Sequence, residues 1–216
     1  MNQLDKSLLD FSKKKIKLEI IREIKSGKEA TVFLVSWNDS LYALKVYKDN
    51  SHTSFNRYAV YREGKFIKHN SHRRALEKKT AFGRRLLEAS RTALEYQMLD
   101  NLFQSGANVP EVFSYTDNSI LMQYVGDFDI AAPKIKNVVL SSVQNQELYE
   151  KVLKNMEIFR ENGIVHGDLS EFNILFWEDE IYIIDFPQAI DMRTNPNAED
   201  MYMRDVENVK KFFKKI

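Results

Sequence analysis

Three short apolar segments separated by polar turns open the regular part of the sequence. The segments are rich in Ile, Val, Leu, Phe and Tyr, and the turns between them contain Gly, Asn, Asp and Ser. Short runs of such residues are typical of strands, and such turn residues favour tight connections. The pattern therefore predicts an antiparallel meander of three strands, at 18–25, 31–36 and 41–47.

Two later segments repeat their apolar residues in steps of three and four. The first, which includes Leu94, Met98 and Leu102, stops before a Ser-Gly pair; the second runs over 148–159 and stops at Gly163. This period is typical of an amphipathic helix, and a glycine directly after it favours a helix end. The sequence therefore predicts two long helices.

Further short apolar runs occur in pairs, each joined by a polar turn. They predict the strand pairs 112–115 with 119–124 and 174–177 with 181–184, and a closing helix at 198–215. Gly126 and Pro133 break the pattern between the two halves of the chain. We place a boundary there, between an N-lobe of about 18–124 and a C-lobe of about 125–216.

The composition is that of a globular chain, and it limits the chemistry. Of 216 residues, 44% are hydrophobic and 29% are charged, which suffices for one compact core or two small lobes. The chain has no cysteine, so any chemistry must use oxygen, nitrogen or a metal, and a reducing cytoplasm fits. No apolar run of about 18 residues and no signal-peptide pattern occurs, so we expect neither a membrane span nor secretion.

Positive charge is concentrated in one segment, although the net charge is only +1. Between Ser51 and Arg91 there are eleven Lys or Arg residues and three Glu residues. Such a segment can bind a phosphate backbone with an affinity that falls as salt rises. The stretch that begins at Arg57 and ends at Arg91 is therefore a candidate RNA contact, with an ordinary solvated surface as the alternative.

The most informative motif precedes the predicted hairpin at 174–184. It reads His166-Gly167-Asp168-Leu169-Ser170-Glu171-Phe172-Asn173, and Asp185 follows the hairpin. Magnesium prefers oxygen ligands, so Asn173 and Asp185 can hold the ion against nucleotide phosphates, while Asp168 can orient or deprotonate a nucleophile. Each residue alone could be an ordinary turn or surface residue. The spacing of the three matches a kinase catalytic loop and favours catalysis.

A lysine in the third predicted strand is a candidate phosphate ligand. Alternation places Lys45 beside the small Ala43, which leaves room for a base, and on the face opposite its direct neighbours. Glu95 in the following helix can pair with Lys45 and hold the ammonium near phosphates, with Glu88 as a substitute. A solvated edge lysine is the alternative.

Two turns complete the predicted nucleotide site. The turn Ser-Gly-Lys-Glu at 26–29 has one glycine, and Ser26, Lys28 and the nearby backbone N–H groups could bind phosphate oxygens. After the strand predicted at 119–124, backbone N–H and C=O groups from Gln123 to Val125 would hydrogen-bond an adenine edge. An ordinary hairpin turn and an ordinary strand end are the alternatives.

Together these motifs resemble the RIO family of atypical serine/threonine protein kinases. The resemblance rests on Ser-Gly-Lys-Glu-Ala at 26–30, Ala-Leu-Lys-Val-Tyr at 43–47, the motif at 166–173, and Ile-Asp-Phe-Pro-Gln at 184–188. Ordinary protein kinases carry Asp-Phe-Gly and Ala-Pro-Glu instead, and this chain has neither. The resemblance implies an α+β class and a trimmed, two-lobed kinase-like fold, with an antiparallel sheet and a helix in the N-lobe and a smaller, mainly helical C-lobe.

The resemblance also implies ATP and Mg²⁺, or Mn²⁺, as cofactors. It assigns Asp168 as the base, Asn173 and Asp185 as metal ligands, and Lys45 with Ser26 or Lys28 as phosphate contacts. In this family the metal-binding aspartate can itself be phosphorylated, which would make Asp185 the acceptor in an ATPase cycle. Family members are linked to ribosomal-subunit assembly, so the segment from Arg57 to Arg91 would contact a ribosomal subunit or RNA.

Two other functions fit parts of the same pattern. Small-molecule phosphotransferases of the aminoglycoside or sugar type often read His-Gly-Asp-Leu at the catalytic loop, but the 31 residues after Asp185 leave little for their acceptor-binding lobe. A nucleotide-gated binding module would use ATP occupancy to change its affinity for a partner. The acceptor and the oligomeric state have no signature in the sequence.

Overall fold

The computed structural model of the chain describes residues 2–48 and 81–214, with only the backbone described at 81–90. The chain separates into two compact units. The first consists of Met1–Gln97 and Val112–Gln123, and the second of Met98–Glu111 and Tyr124–Ile216. Within the described residues, none of the helices is both long and apolar enough to cross a membrane.

A five-stranded antiparallel sheet forms the first unit. Its strand order is β1-β2-β3-β5-β4, and the strands are β1 (Glu19–Ser26), β2 (Ala30–Trp37), β3 (Ser40–Tyr47), β4 (Val112–Thr116) and β5 (Ser119–Gln123). The turn between β2 and β3 has positive φ at Asn38 (49°) and Asp39 (61°), as a tight two-residue hairpin requires. The predicted meander and the first predicted strand pair are confirmed.

A helix, α1 (Gln3–Lys13), precedes the sheet and was not predicted. Asn2 caps it, because its side chain accepts from the N–H of Asp5 and the Asp5 carboxylate accepts from the N–H of Asn2. Leu4, Leu8 and Phe11 lie on one face and pack into the core of the first unit. The capping pair and this apolar spacing were the signals in the sequence.

The core of the first unit lies between α1 and one face of the sheet. Phe11, Val35 and Leu44 are fully buried there, and Val46 is 4% exposed. Because side chains alternate across a strand, Lys45 and Tyr47 of β3 lie on the other face from Leu44 and Val46. This confirms the predicted orientation of Lys45.

The long helix α2 (Ala81–Gln104) ends where the sequence predicted. Gly106 follows in the left-handed region with φ of 82°, and the N–H of Ala107 bonds the carbonyl of Leu102. The end of α2 and the segment after it belong to the second unit, where Asn108 donates its N–H to the buried Asn155 side chain and accepts from the N–H of Ile183.

The second unit is mainly helical. Its elements are a short 3-10 helix (Ile135–Asn137), α3 (Ser142–Glu161), β6 (Ile164–Val165), β7 (Ile174–Trp177), β8 (Glu180–Ile183), β9 (Ile190–Asp191) and α4 (Ala198–Phe213). β6 pairs with β9, and β7 with β8. The predicted second long helix, hairpin and closing helix are confirmed, although the predicted end of the last one, Lys215, lies outside the described residues.

We predict that Phe11→Ala lowers the free energy of unfolding by about 3–5 kcal/mol, because it removes a fully buried ring and leaves a cavity. Chemical denaturation measures the loss. Leu9→Ala is the matched control on the same helix, since Leu9 is 47% exposed and its truncation should change stability little. Equal losses in the two variants would show that α1 does not pack through Phe11.

Candidate active site

Lys45 and Glu95 form a sheltered ion pair in the first unit. The ammonium Nζ lies 2.8 Å from Oε1 of Glu95, and the side chains are 12% and 6% exposed. Pairing with β2 and β5 fixes Lys45 opposite Val32 and Ile120, in the middle of the sheet. The structure thus brings together the two residues that the sequence predicted to pair, while Glu88 lies among the residues whose side chains are not described.

Tyr47 holds the second oxygen of the same carboxylate. Its hydroxyl donates to Oε2 of Glu95, and its side chain is 6% exposed. Burial, and then the nearby Glu95 carboxylate, raise the pKa of the Tyr47 phenol well above its ordinary value. The phenol therefore remains a donor, and both oxygens of Glu95 are engaged.

The turn at 26–29 is held by a lysine that sequence reasoning missed. Lys48 donates from Nζ to the hydroxyl of Ser26 at 2.8 Å and to the carbonyl of Gly27 at 2.7 Å. Ser26 also lies 3.1 Å from the Thr31 hydroxyl, and Lys28 is exposed. The available signal was strand pairing, because a hairpin that aligns Ala30 with Tyr47 places the next residue beside the turn.

The two residues predicted to bind adenine lie at the end of β5. Gln123 is the last residue of that strand and belongs to the first unit, whereas Val125 belongs to the second. The carbonyl of Val125 accepts from the N–H of Ala132 at 3.0 Å. Adenine binding at Gln123 and Val125 stays a prediction.

In the second unit, a buried histidine connects the catalytic-loop motif to the residue before Asp185. His166 is 2% exposed; its Nε2 lies 3.1 Å from the carbonyl of Ile184, and its Nδ1 lies 3.4 Å from the N–H of Asp168. A carbonyl can only accept and an N–H can only donate, so these bonds require the neutral tautomer with the proton on Nε2. His166 therefore acts as a spacer between Asp168 and Ile184.

Asn173, a predicted metal ligand, is anchored through its side-chain nitrogen. Its side-chain Nδ2 donates to the backbone carbonyl of Asp168 at 2.8 Å. Its backbone carbonyl accepts from the N–H of Ile184 at 2.9 Å. The residue is 8% exposed. With the nitrogen bound in this way, Oδ1 is the atom that would face a cation.

Asp185 follows β8 in an unusual backbone conformation. Its φ is 73°, in the left-handed region, and the residue is exposed. Phe186 beside it is 3% exposed, with its ring centroid 4.6 Å from that of His166 and 5.5 Å from that of Phe159. A left-handed residue that is not glycine costs about 1–2 kcal/mol, and burial of the Phe186 ring offsets that cost. One connected set of bonds thus links Asp168 and Asn173 to Ile184, the residue before Asp185.

A carboxylate that sequence reasoning missed anchors the catalytic loop from α4. Asp205 is 1% exposed and accepts from the N–H of Gly167 at 2.7 Å and from the N–H of Leu169 at 3.1 Å. Burial raises the pKa of Asp205, and the two backbone bonds only partly oppose that effect. The signal was an acid on the apolar face of a helix, four residues before the buried Val209.

Gly167 is required at its position by the space around it. Its φ is 80°, and a Cβ there would lie 2.6 Å from the carbonyl oxygen of Gln188 and 2.8 Å from Cε of Met201. Arg204 also donates to the carbonyl of Gly167. The backbone before Asp168 is therefore fixed from both sides.

We predict that Asp205→Asn lowers the free energy of unfolding by about 1–3 kcal/mol, because the amide places an NH₂ donor against a backbone N–H. The loss should depend on pH. Since the folded-state pKa of Asp205 is raised above its ordinary 3.8, the carboxyl contributes most to stability below pH 3.8, and its contribution falls as the pH rises through the folded pKa.

Chemical denaturation of the wild type and of Asp205→Asn over a series of pH values measures this trend. Glu207→Gln is the matched control, because Glu207 is exposed on the same helix and lies 3.9 Å from Lys211. If the difference in free energy of unfolding between the wild type and Asp205→Asn increased with pH, the two backbone bonds would have a larger effect on the pKa of Asp205 than burial has.

Comparison with known proteins places the chain in a family. The model of the RIO domain matches residues 31–216. The RIO-type serine/threonine-protein kinase Rio1 of Haloferax volcanii is 31% identical over 193 residues, which cover 89% of this chain and 62% of that protein. Rio2 of Methanocaldococcus jannaschii is 32% identical over 211 residues, which cover 95% of this chain and 71% of that protein.

A solved structure agrees with the fold. The Rio2 kinase–ADP/Mg²⁺–phosphoaspartate complex from Chaetomium thermophilum matches with a TM-score of 0.67 and 25% identity, over 97% of this chain and 59% of that one. This confirms the predicted α+β, kinase-like fold class. The chain spans less than two thirds of several relatives, including 32% of human RIO1. From the domain match and these relatives, the chain belongs to the RIO family.

Proposed function

We propose that this protein is an ATP- and magnesium-dependent phosphotransferase of the RIO type, acting as a serine/threonine protein kinase or as an ATPase. The observation that carries the proposal is the bonded set in the second unit that links Asp168 and Asn173, through His166 and Ile184, to the position directly before Asp185. Its relatives are named as RIO-type serine/threonine kinases, and the solved Rio2 complex contains ADP and Mg²⁺. These names support the proposal but concern other proteins.

The residues fit a magnesium ion bound with a nucleotide. Asn173 offers Oδ1 and Asp185 a carboxylate, and magnesium commonly takes one or two protein oxygens together with phosphate oxygens and water. In the described parts of the chain, no cluster of three or more His, Cys, Asp or Glu side chains could hold a metal by itself. Magnesium or manganese bound here would neutralise charge on the phosphates.

We propose Asp185 as the first phosphoryl acceptor in the ATPase cycle. A carboxylate oxygen of Asp185 would form a bond to the γ-phosphorus as the bond from that phosphorus to the ADP oxygen breaks. Water would then attack the acyl phosphate and lose a proton to Asp168, which releases phosphate and restores the carboxylate. The solved relative is described as a phosphoaspartate complex, which supports this sequence of steps.

The proposed nucleotide contacts apart from the metal ligands lie in the first unit, except for Val125. Lys45, held by Glu95 at 2.8 Å, would supply a positive charge to the phosphates. Ser26 and Lys28 in the turn would add a hydroxyl and a second ammonium, and Gln123 and Val125 would bind the base. Lys48 bonds Ser26 and would have to share that hydroxyl with a phosphate.

We also propose that the basic segment from Arg57 to Arg91 contacts RNA or a ribosomal subunit in the cytoplasm. Residues 57–80 lie outside the described structure, so the support is their charge alone. Arg91, the last cation of the segment, forms an ion pair with Glu29 within the first unit. We therefore expect RNA affinity to depend on the cations before Arg91.

We predict that binding to a ribosomal RNA fragment weakens about tenfold or more between low and physiological salt, because each phosphate contact releases counterions. Replacing Arg73 and Arg74 by Gln should weaken binding and flatten the salt dependence. Arg193→Gln is the control outside the segment. Affinity that did not change with salt would contradict an RNA contact.

We predict that Asp168→Ala and Asp185→Asn each reduce ATP turnover with Mg²⁺ by about a hundredfold or more, because each removes a group that acts in the transition state. The measurement is phosphate release by the purified full chain. Asp179→Asn is the matched control, since Asp179 is an exposed aspartate in the β7–β8 turn with a left-handed φ of 60°, close to that of Asp185.

The chemical form of phosphate on the chain separates the candidate functions. Label that hydroxylamine removes, and that Asp185→Asn lacks, supports the aspartyl-phosphate ATPase. Acid-stable label supports transfer to serine or threonine. ATP binding without turnover or label in the wild type would contradict autonomous catalysis and favour a nucleotide-gated binding module.

A further inference from the structure

Five side chains of the first unit form a continuous chain of polar contacts from the turn at 26–29 to the sheet. They are, in order, Glu29, Arg91, Tyr47, Glu95 and Lys45. Only the last pair was expected from the sequence. The other three residues come from the turn, the end of β3 and α2.

Arg91 is the member that contacts both the turn and the strand. Its guanidinium forms an ion pair with Glu29, and its Cζ lies 4.8 Å from the centroid of the Tyr47 ring. The side chains of Arg91 and Glu29 are 21% and 37% exposed. Because the guanidinium stacks on the Tyr47 ring and pairs with the Glu29 carboxylate, two contacts fix its position.

Tyr47 connects Arg91 to the Lys45–Glu95 ion pair. Its ring lies under Arg91 on one side and 5.3 Å from Nζ of Lys45, and its hydroxyl bonds the Glu95 oxygen that Lys45 does not use. Arg91 and Glu95 are four residues apart on α2, so they lie on the same face of that helix. A shift of Arg91 would therefore also displace Glu95, both through α2 and through the Tyr47 hydroxyl.

The backbone also connects the turn to the end of β3. Ala30 pairs with Tyr47, and the N–H of Lys48 donates to the carbonyl of Glu29 at 2.8 Å. The side chains of Glu29 and Tyr47 therefore approach Arg91 from positions that the sheet fixes. The sheet thus holds Glu29 and Tyr47 at positions from which both side chains contact Arg91.

We propose that Arg91 and Tyr47 are positioning residues that couple the turn at 26–29 to the Glu95–Lys45 pair. This inference rests on the proposed function, since it assigns the coupling to the binding of nucleotide phosphates by the turn and by Lys45. When Glu29 holds Arg91, the phenol holds Glu95 in the orientation that directs Lys45. Loss of any contact between Glu29 and Lys45 in this series would release both the turn at 26–29 and the Glu95–Lys45 pair.

Three substitutions test the coupling with little risk to folding. Tyr47→Phe removes the hydroxyl and keeps the ring under Arg91, Glu29→Gln removes a charge at a half-buried side chain, and Arg91→Met removes the connecting cation. Tyr42→Phe is the matched control on the same strand, because Tyr42 contacts the Trp37 and Phe113 rings on the other face. Glu23→Gln is the control for a charge on the sheet, since Glu23 is exposed.

The first measurement is kcat and KM for ATP with Mg²⁺. We expect Tyr47→Phe and Glu29→Gln each to lower kcat/KM by about tenfold, the loss typical of a bond to a charged group. The double variant should be little worse than either single one, and in the Arg91→Met background each change should cost less than about twofold. Arg91→Lys should restore part of the loss, because it keeps the charge that Glu29 binds.

Independent losses would overturn the proposal. If the effects of Tyr47→Phe and Glu29→Gln multiplied, or if Arg91→Met left their coupling unchanged, the residues would act separately. The proposal would also be overturned if the substitutions lowered only the free energy of unfolding and left kcat/KM unchanged under conditions where every variant is folded. Tyr42→Phe and Glu23→Gln should leave both quantities near those of the wild type.

A second readout keeps the test separate from the proposed function. The same double-mutant cycle is measured in the free energy of unfolding of the full chain without nucleotide, where Glu29 and Tyr47 should be coupled only when Arg91 is present. If the wild type neither binds nor hydrolyses ATP, the proposed function fails and this cycle alone decides the coupling. Additive unfolding free energies in that case would overturn it.

Discussion

The two hydrogen bonds that the Asp205 carboxylate accepts from backbone N–H groups determine the geometry of the loop at 166–173. The residues between β6 and β7 have no regular structure to satisfy their backbone groups, so another element must do it. Asp205 binds the N–H of Gly167 and of Leu169, the residues on either side of Asp168. With both neighbours held and buried, Asp168 itself is exposed to solvent.

The rest of the second unit extends that constraint to Asp185. His166 leads into the held segment, and its ring nitrogens connect the N–H of Asp168 to the carbonyl of Ile184. Asn173 closes the set through the carbonyl of Asp168 and the N–H of Ile184. Phe186 packs on His166 and directly follows Asp185, whose φ is left-handed. A displacement of α4 would therefore reach the backbone at Asp168 and at Ile184, the residue before Asp185, through the side chains of Asp205, His166 and Asn173.

Sequence periodicity predicted the elements of this fold, because each depends on a local pattern. β3 was placed as a short run of apolar residues that follows a turn, α3 by a repeat of three to four residues, and the stop of α3 by Gly163, whose φ is 72°. Charge patterns were less informative about individual side chains. Arg91 counted as one cation of a basic segment, yet it forms an ion pair with Glu29, 62 residues earlier in the chain.

The contacts that sequence reasoning missed join residues far apart in the chain. Asp205 reaches back 38 residues to Gly167, and Lys48 reaches back 22 residues to Ser26. A single sequence shows that an acid lies on an apolar helix face, but it does not show which backbone groups will meet it. The motif residues were found because their own spacing encodes their chemistry, whereas the residues that hold them in place have no spacing rule.

The two units stabilise their buried charges in different ways, and this difference predicts how each responds to solvent. In the first unit, Lys45 and Glu95 are sheltered and paired charge against charge, so removing one partner leaves the charge of the other uncompensated where it is buried. In the second unit, burial raises the pKa of Asp205 more than its two backbone bonds lower it, so the contribution of this carboxyl to stability depends on pH. A rise in pH through the folded-state pKa of Asp205 should therefore loosen the loop around Asp168.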